Sequence, residues 1–129
     1  MKKKGISKKL SVRRLIKSFG YAFYGIRLMI LQEQNARIHL LATCCVVFAG
    51  CCFRLSVSEW ATIVIAIGCV ISAETFNTSI EALSDMVSPE YSENIKQVKD
   101  FAAGAVLIVA IAAIITGLLI FLPKVIALF

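Results

Sequence analysis

The chain reads as an all-α membrane protein: an N-terminal amphipathic surface helix plus three transmembrane helices, in one domain over residues 1–129. Three observations lead to that class. The composition is 59% hydrophobic and only 17% charged, with a mean hydropathy of +0.83, far more apolar than a soluble globule. Apolar runs of membrane-spanning character recur along the sequence. The formal net charge of +6 is gathered ahead of those runs, where Glu33 is the only acidic residue among many lysines and arginines. A basic leader next to membrane segments places the N-terminus in the cytoplasm, beside anionic lipid, in a multi-pass protein of the cell membrane.

Residues 1–10 form a basic tail. No groove-reading element follows it, so nucleic acid is not an expected partner. The start is not a secretory signal peptide, because the basic stretch runs into an amphipathic segment rather than a short apolar core. Over residues 11–33, Val12, Leu15, Phe19, Phe23, Ile26 and Ile30 recur at helical steps beside Arg13, Arg14, Lys17, Tyr21 and Arg27. That pattern predicts a helix lying in the membrane interface.

The first membrane helix is expected at about residues 35–53, built on an apolar run from Ile38 to Phe53. A short polar turn over Arg54–Glu59 follows, and Trp60 stands where an interfacial aromatic anchor belongs. The second membrane helix is expected over about 60–85, ending before Ser88-Pro89. A polar connection occupies residues 86–99. The third membrane helix is expected over about 101–122, with Asp100 as its N-terminal cap and Pro123-Lys124 marking its end. The five cysteines all lie in apolar runs and read as small polarizable hydrophobes. A chain of three membrane helices makes a thin bundle, which favours self-association.

The second membrane helix carries the chemistry. Glu74, Asn77, Glu81 and Asp85 are spaced by three, four and four residues and share one helical stripe. Carboxylates on a membrane helix are costly, so the stripe should face protein, water or a metal. Mg2+, Lys99, Arg27 and Arg37 are the candidates to offset it. Glu33 falls at the same level as Glu81, so the two can share a metal held with substrate phosphates. Glu74 lies deeper, where a lipid hydroxyl would enter. Spacing alone leaves three readings open: phosphoryl transfer, an ion or proton pathway, and polar glue between helices. Neither a P-loop nor a G-x-G-x-x-G loop occurs.

The run Glu74-Thr-Phe-Asn77-Thr-Ser-Ile-Glu81-Ala-Leu-Ser-Asp85 resembles the signature of the prokaryotic diacylglycerol kinase and undecaprenol kinase family. Gly20-Tyr21, Gly25-Ile-Arg27, Glu33, Glu90-Tyr91 and Lys99-Asp100-Phe-Ala-Ala-Gly104 match in the same order and spacing, over roughly residues 13–124. The resemblance implies an ATP-Mg dependent lipid kinase, a homotrimer with active sites shared between subunits. It implies Glu74 as general base, Glu33 and Glu81 as Mg2+ ligands, and Asn77 in support beside the nucleotide. It further implies Arg14, Tyr21, Lys99 and Asp100 at the nucleotide phosphates and Glu90 and Tyr91 nearer the nucleoside. Arg27, Ile30, Asn35 and Trp60 fall where the lipid is contacted.

For the acceptor, Asn35-Ala-Arg37-Ile-His39-Leu-Leu-Ala, Ser58-Glu59-Trp60 and Phe121-Leu-Pro123-Lys124 are similar to the undecaprenol kinase branch. Ile30 stands where the other branch has tryptophan, and Gln32 where it has asparagine. The expected acceptor is therefore undecaprenol, with diacylglycerol as the alternative. His39 reads as a packing or hydrogen-bonding residue at the start of its helix.

Overall fold

A computed structural model describes residues 11–129; the basic tail expected over 1–10 lies outside the described residues. The described chain is four helices and contains no strand: α1 (Val12–Gln32), α2 (Gln34–Cys52), α3 (Val57–Val87) and α4 (Glu93–Ile126). The last three are long and apolar enough to cross a membrane. The first is amphipathic and leaves Leu15, Phe19 and Phe23 exposed, as an interfacial helix must before it meets lipid.

A single extended residue, Glu33, separates α1 from α2; its N–H still donates to the Met29 carbonyl at 2.8 Å. The chain therefore turns sharply at that carboxylate. At the other end of α2, Arg54 adopts a left-handed conformation with φ 50°. Its N–H donates to the Cys51 carbonyl at 3.3 Å, and the N–H of Leu55 to the Gly50 carbonyl at 3.1 Å. This is a Schellman ending, normally closed by glycine. Leu55 is buried there, and Trp60 packs so tightly on Gly50 that an added Cβ would come within 2.7 Å of its ring.

The boundaries differ from the sequence expectation at three places. α3 starts at Val57 instead of Trp60, because Ser56 and Glu59 form a capping box. The Glu59 N–H donates to the Ser56 hydroxyl at 3.3 Å, and the Ser56 N–H to the Glu59 carboxylate at 2.8 Å. α4 starts at Glu93, well ahead of Phe101, so Asp100 lies within the helix instead of capping it. There it accepts an i,i+4 ion pair from Lys96 at 2.7 Å. A polar first turn is compatible with helix when it projects beyond the apolar core, so polarity alone misplaced that start. At the far end Pro123 sits inside α4, which continues to Ile126. The proline costs the ladder one bond, to the Leu119 carbonyl, and the helix runs one further turn past it.

α3 and α4 form the main antiparallel pair. Ion pairs tie both of its ends: Lys124 to Glu59 at 3.0 Å, and Lys99 to Asp85 at 2.5 Å. α2 joins them through the Gly50–Trp60 contact and an edge-to-face pair of Phe53 and Phe121, ring centroids 6.0 Å apart. The buried apolar set is small: Met29, Ala36, Leu55, Ile63, Val70, Ala102 and Val106. Most of the apolar surface of the spans faces outward, as lipid permits.

Candidate active site

The polar stripe on α3 faces protein at Glu74 and Asn77, is half-buried at Glu81 and reaches the surface at Asp85. Glu74 is 1% exposed, Asn77 6% and Ser84 5%, all on the side of the helix that also carries the buried Ile63 and Val70. The neighbouring threonine hydroxyls are satisfied locally. Thr78 donates to the Glu74 carbonyl at 3.0 Å and Thr75 to the Ile71 carbonyl at 2.7 Å. Thr75 also reaches the sulfur of Met29 at 3.2 Å, which fastens the end of α1, and hence Glu33, against α3.

Two buried side-chain oxygens on this face are not satisfied. One carboxyl oxygen of Glu74 and the amide oxygen of Asn77 are buried without a hydrogen-bond partner. The Asn77 amide nitrogen donates to Glu81 at 3.2 Å. Glu33 stands at the α1–α2 junction, which the Met29–Thr75 contact holds against α3 one residue from Glu74. Lys99 is the cation at that end, paired with Asp85 and influenced by Glu81.

This donor set fits a hard divalent cation. Oxygen ligands dominate it, and an orphaned buried amide oxygen stands beside Glu81. Among the described residues no three or more His, Cys, Asp or Glu side chains gather as a complete metal cluster. Mg2+ does not need one, since it is commonly held by one or two carboxylates together with substrate phosphates.

The structure brings Glu33, Glu74, Asn77, Glu81 and Lys99 to one end of the helices. Ile30 is half-buried there in the last turn of α1, while Arg27 and Asn35 are nearby in sequence but exposed. Arg14 and Tyr21 lie further back on α1, exposed and unpacked against α3. Glu90 and Tyr91 occupy the α3–α4 turn. The Tyr91 hydroxyl donates to Glu93 at 2.6 Å, and that bond holds its pKa above the ordinary tyrosine range. Asp100 is exposed and engaged by Lys96. Trp60 is not gathered with the others: fourteen residues from Glu74 on one helix, it sits roughly 21 Å away along the axis.

Sequence reasoning missed the placement of His39. Ala36, His39, Thr43, Val46 and Gly50 repeat at alternating three- and four-residue steps, and all are buried or half-buried. That heptad-like pattern, matched to the one on α3, was the signal that could have turned His39 toward the stripe. Below Glu74 an apolar groove of about 520 Å³ runs between α2, α3 and α4, with His39, Thr43, Ile67, Val70, Gly117 and Phe121 in its walls.

The chain is thus a bundle of membrane-length helices with buried carboxylate and amide groups on α3, a lysine at the same end, and an apolar groove between α2, α3 and α4. The chain belongs to the prokaryotic diacylglycerol kinase family, whose pattern it matches over residues 20–121. It is 41% identical to the undecaprenol kinase of Bacillus subtilis (strain 168), over 88% of this chain and 92% of that one. It is 36% identical to a diacylglycerol kinase of Synechocystis, over 88% of this chain and 66% of that one. With the diacylglycerol kinase of Escherichia coli (strain K12) it shares 31% identity over 80% of this chain and 84% of that one. The protein is thus a membrane lipid kinase, with ATP as phosphoryl donor.

Proposed function

We propose that the protein phosphorylates undecaprenol, using ATP-Mg, to give undecaprenyl phosphate. The observation that carries this reading is the buried, unpaired carboxyl oxygen of Glu74, one helical turn from Val70 in the wall of an apolar groove. A lipid alcohol approaching from the bilayer would place its hydroxyl at that oxygen and its chain in the groove. The similarity to the Bacillus enzyme supports undecaprenol as that alcohol. Diacylglycerol is the alternative, favoured by the similarity to the diacylglycerol kinases.

In the reaction Glu74 accepts the proton of the hydroxyl, the lipid oxygen bonds to the γ-phosphorus, and the bond from that phosphorus to the β-phosphate oxygen breaks to release ADP. Glu33 and Glu81 would hold Mg2+, which when bound supplies charge neutralisation at the phosphates. Asn77 holds Glu81 in place, and Lys99, exchanging Asp85 for phosphate, adds a second positive charge. Arg14, Tyr21 and Asp100 serve the phosphates, and Glu90 and Tyr91 the nucleoside. Arg27, Ile30, Asn35 and Trp60 serve the lipid. Arg14 and Tyr21 stand apart from Glu74 in a single chain, which suits a site completed by a neighbouring subunit of a homotrimer. The positive leader supports a cytoplasmic N-terminus, with the site at that face. The whole chain acts as one domain.

The test is transfer of label from γ-labelled ATP to undecaprenol and to diacylglycerol, offered separately in mixed micelles, with Glu74→Gln as control. Labelled undecaprenyl phosphate, absent in the control, is expected. Label only in phosphatidic acid would reverse the choice of lipid, and label in neither would end the kinase reading.

A further inference from the structure

α1 is exposed along most of its length and buries one residue, Met29, which is 3% exposed. Leu28 and Ile30 beside it are half-buried. Glu33 depends on this last turn. It is the single extended residue between α1 and α2, and its N–H donates to the Met29 carbonyl at 2.8 Å. Its side chain makes no capping bond to the first turn of α2. Its carbonyl accepts only long bonds, 3.4 Å each, from the backbone N–H and the side-chain Nε of Arg37. Hydrogen bonding therefore ties Glu33 to the end of α1 more firmly than to α2.

The Met29 side chain is what seats that end of α1. Its sulfur lies 3.2 Å from the Thr75 hydroxyl oxygen on α3. The same hydroxyl donates to the Ile71 carbonyl at 2.7 Å, which fixes its direction. Sulfur is a weak acceptor, so the contact acts through fit more than through bond strength. Thr75 lies between Glu74 and Asn77 in the chain, so Met29 meets α3 at the level of the buried stripe. The two carboxylates given to Mg2+ in the proposed mechanism come from different elements. Glu81 is carried by α3, and Glu33 by the α1–α2 junction. Their separation is therefore set where α1 meets α3. Mg2+ demands near-ideal octahedral geometry at about 2.0–2.1 Å, so a small displacement of one carboxylate costs affinity.

We propose that Met29 is a positioning residue for the metal site: seated on Thr75, it sets Glu33 against Glu81 and so tunes the affinity for nucleotide-bound Mg2+. The proposal rests on the lipid kinase reading and its assignment of Glu33. Shortening Met29 leaves Glu74, Asn77 and Glu81 where α3 carries them and loosens Glu33 alone.

The experiment uses the full chain in detergent, comparing wild type, Met29→Ala, Met29→Val, Met29→Leu, Glu33→Ala and the double variant Met29→Ala with Glu33→Ala. Mn2+ binding in the presence of a non-hydrolysable ATP analogue is read by electron paramagnetic resonance. Labelling of undecaprenol is read against free Mg2+. Met29→Ala should weaken Mn2+ binding and raise the half-saturating Mg2+ roughly tenfold to a hundredfold, as loss of a group that orients a ligand does elsewhere. Its kcat at saturating Mg2+ should stay within a few-fold of wild type. Met29→Leu, close in volume, should behave as wild type. Met29→Val should fall between, and carries the test if the alanine variant does not fold. In the Glu33→Ala background Met29→Ala should add nothing, because it acts through that carboxylate. Mn2+ affinity equal to wild type in the shortened variants would overturn the proposal. So would a further loss of affinity in the double variant, because the methionine would then serve general packing. Wild-type protein that binds no Mn2+ with nucleotide and labels no lipid would instead overturn the kinase reading, and the proposal with it.

Discussion

Glu74→Gln separates chemistry from folding, because the two should move in opposite directions. The substitution keeps the side-chain volume in a site that is 1% exposed, so no cavity forms. It removes a buried charge whose neighbours include two further carboxylates and one of whose oxygens is unpaired. It also introduces an amide N–H₂ three residues from the orphaned acceptor of Asn77, on the same helix face. Satisfying a buried polar group is worth about 1–3 kcal/mol, so stability in detergent should stay level or rise by that order. The rate should fall by roughly two to four orders of magnitude, about 3–5 kcal/mol of transition-state stabilisation, because an amide cannot accept the hydroxyl proton. The assay pairs phosphoryl transfer to undecaprenol with thermal unfolding of the same preparation. Activity within an order of magnitude of wild type would refute the base assignment. Activity and unfolding temperature falling together would show that the carboxylate holds the fold and that its catalytic role was misjudged.

Glu81→Ala should abolish transfer at any Mg2+ concentration, and Glu33→Ala should raise the Mg2+ required; both are read from rate against free Mg2+, with chelation of wild type as reference. Gly50→Ala forces a Cβ to 2.7 Å from the Trp60 ring and 3.1 Å from Leu55. Thermal unfolding should report a loss of about 1–3 kcal/mol, as overpacking does elsewhere. Arg54→Gly removes a side chain from a left-handed residue with φ 50° and should raise stability by about 0.5–1 kcal/mol in the same measurement, with activity unchanged.

The number and order of the helices were legible because each depends on a strong local signal. Hydrophobic length marks the spans, and amphipathic spacing marks α1. The break at Glu33 falls where the two patterns meet. The ends were less legible, and for particular reasons. Ser56-Val-Ser-Glu59 reads equally well as a polar turn and as a capping box, and only the backbone φ/ψ values decide. Lys96, Lys99 and Asp100 look like loop composition, yet they occupy a helix that outruns the apolar core, where an i,i+4 pair helps to hold it. The Glu74–Asn77–Glu81 stripe was visible from spacing, because carboxylates on an apolar helix stand out, although spacing alone left phosphoryl transfer, an ion pathway and polar glue all open. His39 was not, because a lone histidine gives no hint of which way it turns until the α2–α3 register is known.

The attachment of α2 bears on how a lipid could reach Glu74. The α3–α4 pair is tied at both ends, by Lys124–Glu59 and by Lys99–Asp85, and packs continuously between them. α2 is held tightly at the Trp60 end, through Gly50, Leu55 and the Phe53–Phe121 pair. At the Glu74 end its closest packing is the small Ala36, with Met29 and Thr75 securing the adjoining end of α1. Between these attachments the groove is lined by small and apolar groups from α2, α3 and α4. A chain entering from the bilayer would thus displace little beyond other lipid, while Glu74 and Glu81 stay anchored on the stiffer α3–α4 pair. Local opening follows the regions with fewest buried contacts. Substrate entry can therefore move α2 without disturbing the spacing of Glu74, Asn77 and Glu81, which one continuous helix fixes.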